Sequence, residues 1–242
     1  EECADWYGSL ISDGEGDDPT PDWFHTCSDE ELYSPPELVF GYQAAYSGEG
    51  IVALYTYNGE QSNYREIIGV ELNELLIVGN TYLVEFKVSG VERPEVNIPS
   101  NNIGFNFSTN EFYNYSDFPI NTSHYTSAEI IPIGEWSFIS EEFVADSSYG
   151  FFHIGNFYEN VNTTVDTSEA GNRSYYAIDD VSVTELLSSG NSLELEEQVT
   201  IHPNPFTTML KVQSANENIE ISKILISTLN GEIVKAFEFN IG

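Results

Sequence analysis

From residue 64 to residue 184, apolar side chains return at every second position in run after run. Tyr82, Val84, Phe86 and Val88 share one side of an extended segment, and Glu85 and Lys87 share the other. Ile103, Phe105 and Phe107 alternate with Gly104, Asn106 and Ser108, and Ile68, Val70 and Leu72 with Gly69 and Glu71. A period of two sends successive side chains to opposite faces of a strand, so one face of each segment is buried and the other is wet, as in antiparallel sheets. The pattern predicts strands over 38–44, 51–57, 64–72, 82–89, 103–108, 136–144, 150–157 and 175–184, separated by turn residues such as Asn58-Gly59, Gly79-Asn80, Ser89-Gly90 and Ile133-Gly134. No convincing amphipathic helix longer than two turns competes with them. The expected fold is all-β, a two-sheet antiparallel jelly-roll sandwich.

One strand carries a defect. Tyr176 and Ile178 are apolar at even positions, Val181 and Val183 at odd ones, so the phase flips at Asp179-Asp180. A β-bulge there restores the inward direction and re-aims a carboxylate, which marks the pair as a candidate site.

On either side of the sandwich the pattern changes. Residues 1–36 hold Gly14, Gly16, Pro19, Pro21, Pro35 and Pro36 among clustered acids and read as a long loop with little regular structure. At the other end, Ser188-Ser189-Gly190-Asn191-Ser192 opens a polar linker over 188–198. A second strand-rich unit follows over 199–242, with runs at 199–202, 209–213, 219–227 and 232–239 and an Asn230-Gly231 hairpin signal between the last two. Thirty aromatic rings from Tyr and Phe alone supply enough apolar material for a packed core.

Charge narrows the partners. The chain carries a net charge of −33, and its first 190 residues hold only Arg65, Lys87, Arg93 and Arg173 as bases. Such a surface repels phosphate backbones and anionic head groups, which excludes nucleic acid as a partner. No apolar run is long enough to form a transmembrane helix. The chain starts at Glu1 with no basic-then-apolar leader, as removal of a signal peptide would leave it. The two cysteines, Cys3 and Cys27, suggest a disulfide pinning the N-terminal segment, worth about 3.5 kcal/mol by loop closure, in an oxidising compartment. The alternative is two free buried thiols.

Two resemblances add to this reading. Residues 199–206 read Val-Thr-Ile-His-Pro-Asn-Pro-Phe, followed by Leu210-Lys211-Val212 and then Leu229-Asn230-Gly231-Glu232-Ile233-Val234. This resembles the C-terminal sorting domain of the type IX secretion system of Bacteroidetes, with His202, Pro203, Asn204, Pro205, Phe206, Asn230 and Gly231 carrying the likeness. The family's domain runs further, through a glycine and an aromatic-rich last strand that this sequence does not contain. The resemblance implies transit through the periplasm, passage through the outer-membrane translocon, contact with a β-barrel shuttle protein, and release or attachment at the cell surface. In residues 1–187, Thr20-Pro21-Asp22-Trp23-Phe24-His25-Thr26-Cys27, Gly41-Tyr42-Gln43-Ala44, Tyr64-Arg65-Glu66, Ile154-Gly155-Asn156-Phe157 and Tyr176-Ala177-Ile178-Asp179-Asp180-Val181 are similar to galactose-binding-like jelly rolls of Bacteroidetes surface proteins. In related carbohydrate-binding modules the Asp-Asp-Val strand meets a glutamate near the N-terminus and loop carbonyls around a structural calcium. That implies a ligand set of Asp179, Asp180, Gly48 with Glu49, and Glu1 or Glu2 as the remnant of the family's opening strand. No other cofactor is expected. The bland alternative is a bulge whose carboxylates cap loop amides. Asp13, Glu15 and Asp17 alternate like an EF-hand opening, but Asp18 and Phe24 stand where that loop needs glycine and glutamate.

Sugars dock where aromatic faces meet the apolar side of a pyranose and polar groups take the hydroxyls. Trp23, Tyr55, Tyr57, Tyr64, Arg65, His153 and Asn156 are the candidates, each with a structural alternative: Trp23 plugging the sandwich end, Tyr55 half-buried, His153 a satisfied sheet histidine. No Gly-x-Ser-x-Gly, His-Glu-x-x-His or phosphate loop is present, and the excess of carboxylates makes any chosen pair uninformative. The expected function is a non-enzymatic, secreted or surface-displayed module that binds carbohydrate, surface polysaccharide included, in adhesion or gliding motility. One alternative is an interaction protein of the secretion or motility apparatus with no sugar site. A second is a glycan-active hydrolase.

Overall fold

The structure, a computed structural model, describes residues 6–11, 21–29, 32–60, 63–93, 95–112, 119–168, 170–186, 199–202, 211–214, 223–227 and 233–238. The chain divides into two compact units, Glu1–Leu186 and Leu187–Gly242. In chain order the first unit contains β1 (Trp6–Ile11), β2 (Asp22–His25), β3 (Tyr33–Ser34), β4 (Glu37–Leu38), β5 (Gly41–Tyr42), β6 (Gly50–Asn58), β7 (Arg65–Glu71), β8 (Thr81–Gly90), β9 (Ile103–Ser108), β10 (Tyr125–Thr126), β11 (Ser137–Val144), β12 (Phe151–Asn156) and β13 (Arg173–Leu186). A one-turn 3₁₀ helix at Asn160–Asn162 is the sole helical element among the described residues.

Two five-stranded antiparallel sheets pack face to face as a jelly-roll sandwich. Sheet A has the order β1-β7-β12-β9-β10, and sheet B the order β11-β8-β13-β6-β2. Ile68, Val70, Phe152, Ile154, Ile103, Phe105 and Phe107 of sheet A meet Val52, Leu54, Val84, Phe86, Val88, Tyr176 and Ile178 of sheet B. The rings of Phe105, Phe107 and Phe152 sit with centroids 5.0–5.8 Å apart. Burial of each such side chain stabilises the fold by about 1.5–3 kcal/mol. A smaller core lies on the outer face of sheet B, where Phe24, Leu38, Ile51, Ala53, Tyr55, Val91, Tyr175 and Ala177 cluster under the β3–β5 meander.

The alternation marks the central strands to within two residues, but two expectations need correction. Residues 1–36 are not a loop throughout. β1 pairs with β7 from Trp6↔Val70 to Ile11↔Arg65, and β2 pairs with β6 from Asp22↔Ala53 to His25↔Gly50. Both are short, and β2 is apolar on both faces, with Trp23 on the main core and Phe24 in the second, so neither carries a readable alternation. The expected strand over 38–44 is instead the two-residue strands β4 and β5, joined by a turn, because this segment lies across sheet B and is not a rung of it. The phase flip in β13 is a real irregularity: its register against β8 shifts between Asp179 and Ser182. Asp180 there takes a left-handed conformation, φ +50°.

The second unit contains β14 (Val199–His202) paired antiparallel with β15 (Lys211–Ser214), and β16 (Lys223–Ser227) paired antiparallel with β17 (Ile233–Glu238). Pro203, Asn204, Pro205, Phe206, Asn230 and Gly231 lie outside the described residues, as do Glu1, Glu2 and Cys3. Among the described residues Cys27 is exposed and in no disulfide, and the expected Cys3–Cys27 bridge falls on a residue outside them.

Candidate functional site

The seven sugar-binding candidates do not converge. Arg65 and His153 belong to the outer side of sheet A, which is covered. His153 is fully buried: the Tyr7 hydroxyl lies 2.9 Å from its Nε2, and the Phe112 ring stacks on it at 4.6 Å. Burial pulls its pKa down from the usual 6.5 to about 4, against a backbone hydrogen bond to Asn106 that raises it. Arg65 is also fully buried, its Nη1 donating to Asn160 Oδ1 at 3.4 Å. Asn156, at the sandwich end, donates to the Thr56 carbonyl (2.8 Å) and Thr163 Oγ1 (3.0 Å) and accepts from the Tyr158 amide (2.8 Å). Those bonds use both halves of its amide. Trp23 points inward from β2 and packs against the main core.

The structure does bring Tyr55 and Tyr64 together, 6.1 Å apart on the sheet B side, with Phe40 and Tyr175 around Tyr55. Carboxylates tie this cluster from inside. The β6/β13 register slips at Ser174/Tyr175, and the Tyr55 amide donates 2.9 Å to Glu66 Oε2. Tyr64 donates to Glu66 Oε1 at 3.3 Å, and the Tyr175 hydroxyl donates to Asp22. Desolvation raises the Asp22 pKa, partly offset by that hydrogen bond. Tyr57 is half-exposed at the end of β6. These lone pairs are spent on tying β7 to β6 and β2 to β13, not on an acid–base pair facing a cleft.

At the β13 bulge, Asp179 acts as a clamp. Its Oδ2 accepts the amides of Tyr46 (2.8 Å) and Ser47 (3.1 Å), its Oδ1 accepts the Asp180 amide (2.7 Å), and Asp180 accepts the Ser47 hydroxyl. A cation at Asp179 would share the carboxylate with these N–H donors, which already take three of its lone-pair sites. Among the described residues no three His, Cys, Asp or Glu side chains form a metal-sized group. Glu1 and Glu2 lie outside the described residues, and what is described of the implied calcium set fits a loop clamp. Gly48 closes the same loop with φ +60° and open space around it.

The clamp holds a ring in place. Beyond the meander, the outer face of sheet B is open where β11, β8 and β13 run side by side. Cross-strand register sets Phe138, Lys87 and Asp179 in one row and Ser140, Glu85 and Ser182 in the next. The Lys87 ammonium sits 3.5 Å from the Phe138 ring centroid and 4.7 Å from that of Tyr46. Tyr46 in turn meets Trp136 edge-on at 6.0 Å. Tyr46 is 49% and Phe138 55% exposed, and Trp136 is half-buried on the second core. Ser140 Oγ donates to Glu85 Oε1 at 3.0 Å, and Glu85, Ser140 and Asp180 frame the rings with hydroxyl-bonding groups. Three aromatic side chains on a rigid surface with polar groups between them can pack sugar C–H faces and bond sugar hydroxyls. None of these three was among the residues chosen from sequence. Phe138 did carry a signal: it is aromatic on the wet phase of a strand whose inward phase is Ile139 and Phe143.

No protein-family profile and no curated protein sequence matches the chain. Several solved structures are similar to it. A CBM22-1–GH10 xylanase 10B from Clostridium thermocellum, complexed with xylohexaose, shares 14% identity at a TM-score of 0.37 over 68% of this chain and 26% of that one, so the chain spans about a quarter of its length. The K1 cleaved adhesin domain of Lys-gingipain from Porphyromonas gingivalis W83 shares 14% at a TM-score of 0.41, covering 76% and 92%. The CBM22-1 xylan-binding domain of Paenibacillus barcinonensis Xyn10C shares 10% at 0.37, covering 74% and 94%.

Proposed function

We propose that the Glu1–Leu186 unit is a non-catalytic carbohydrate-binding module serving adhesion, and that it holds glycan on the open aromatic face of sheet B. The observation that carries this reading is the exposure of Tyr46 and Phe138 beside Trp136 on a clamped, strand-supported surface. Tyr46 and Phe138 form the platform. The Asp179 clamp fixes the Tyr46 backbone, while Glu85, Asp180 and Ser140 accept from sugar hydroxyls and Lys87 donates. With a net charge of −33 and Glu85, Asp179 and Asp180 close by, the face suits neutral or aminated polysaccharide over acidic polysaccharide. Affinity electrophoresis against xylan, a neutral β-glucan, chitosan and alginate tests it. Retardation by a neutral or aminated polymer, lost in Phe138→Ala, supports the reading. No retardation by any polymer, or retardation unchanged in Phe138→Ala and Trp136→Ala, sinks it.

The strand-paired C-terminal unit serves as the export signal in this proposal, delivering the module to the bacterial surface through the type IX translocon and its β-barrel shuttle. The support is the Val199–Phe206 and Asn230-Gly231 likeness described above. A fluorescent reporter fused ahead of residues 188–242 and a closing strand of the sorting-domain type should leave a type IX-competent cell and stay inside a translocon mutant. Equal retention in both strains contradicts the export half without touching the glycan half.

A further inference from the structure

The sandwich has an opening at one edge that the glycan reading does not use. β13 is paired with both β8 and β6 up to Ile178, but from Val181 to Leu186 its described partner is β8 alone. The side of this half-strand with no described partner borders a cleft of about 980 Å³ between the sheets, walled by Trp6, Val70, Leu72, Tyr82, Phe152 and Val183. Trp6, Val70, Leu72, Val181 and Val183 belong to the main core yet stay only partly buried. Beside the cleft Leu75 is 64% and Ile77 56% exposed. Its rim bears Glu71, Glu74, Glu111 and Glu185, and among the described residues no Lys or Arg lines it.

We propose that this opening docks a separate polypeptide in extended conformation, apolar at alternate residues and basic at its ends. Three features combine to select that partner. A sheet edge with no partner among the described residues offers backbone N–H and C=O groups in the register of another strand. A half-filled core beside the edge takes every second side chain of the incoming strand, as period-two geometry requires. Four carboxylates at the rim attract lysine or arginine, and the same charge disfavours a second copy of this chain, which brings −33 of its own. Neither a sugar nor a small apolar ligand uses the edge.

The test uses the full chain and a labelled probe peptide about nine residues long, valine alternating with threonine and lysines at both ends. A control of the same composition has its valines contiguous. Fluorescence anisotropy should show saturable binding of the alternating probe, at least roughly tenfold tighter than the control. Hydrogen exchange should show new protection at the amides of 181–186. Glu74→Lys with Glu185→Lys, both at the rim, should weaken binding about fivefold or more while leaving thermal unfolding in place. No saturable binding, equal binding of the control, or protection elsewhere overturns the proposal. So do edge amides already protected without peptide, since a strand of the chain's own then holds the edge, and so does concentration-dependent dimerisation through it.

Discussion

The outer faces of the two sheets begin with similar materials and end differently. On sheet A, Ile67 and His153 are sealed beneath Phe112, Phe157 and neighbouring side chains, and a titratable ring becomes part of a core. On sheet B, the β3–β5 meander seals Tyr55 and Tyr175, then stops, leaving Phe138 and Tyr46 in the open with a lysine between their rings. Aromatic content does not separate a structural face from a binding one. What separates them is which loop lies over the strand.

If that distinction is right, damage to the two faces should have opposite consequences. The largest effect is expected on the sealed face. Ile67→Ala should cost about 2–5 kcal/mol by chemical denaturation, through lost burial and a cavity, with glycan affinity per folded molecule unchanged. The closed face also predicts a pH dependence. The His153 pKa is about 4 when folded against 6.5 ordinarily, so the unfolded chain binds the extra proton between those values. Stability from this group is present above pH 6.5, falls as pH drops toward 4, and the total change is up to about 3 kcal/mol. Unfolding of His153→Phe, compared with the parent at pH 7 and pH 4.5, should show a flatter profile; an identical slope contradicts the buried neutral imidazole.

Asp179→Ala stands between the faces. It strips the acceptors from two loop amides and one in β13 and should cost about 1–3 kcal/mol, measured as a shift in the denaturation midpoint, while freeing Tyr46 and weakening glycan binding. The smallest stability effect belongs to the open face. Phe138→Ala should change unfolding free energy by less than about 0.5 kcal/mol, yet lower glycan affinity about tenfold in calorimetric titration. A Phe138→Ala protein that is several kcal/mol less stable blurs the comparison, because that ring is then structural too.

The strands inside the sheets were legible because burial on one side imposes a period of two, and the bulge was legible because Ile178 and Val181 cannot both face inward without it. β1 and β2 were not. Both strands are short, and Trp6-Tyr7-Gly8 or Asp22-Trp23-Phe24 carries too few alternations to stand out among acids and prolines. The site was harder for a related reason. Alternation reports which side chains face outward from a sheet, and His153, Arg65 and Tyr55 do face outward. Whether an outward side chain meets water depends on contacts far away in sequence, such as Phe112 over His153 or Phe40 over Tyr55. The Lys87–Phe138 pair needs the β8/β11 register, which no single strand encodes.

Where a sugar sits decides between the two faces. Two-dimensional NMR of the Glu1–Gly242 chain, titrated with an oligosaccharide of whichever polymer retards it, reads this directly. The Trp136 indole and the ring and amide signals of Tyr46, Lys87 and Phe138 should shift together with one saturation curve, while Tyr7, His153 and Asn156 stay still. Shifts centred on Tyr7, His153 and Phe112, with Phe138 unmoved, would place the ligand on the face we read as sealed and contradict the account.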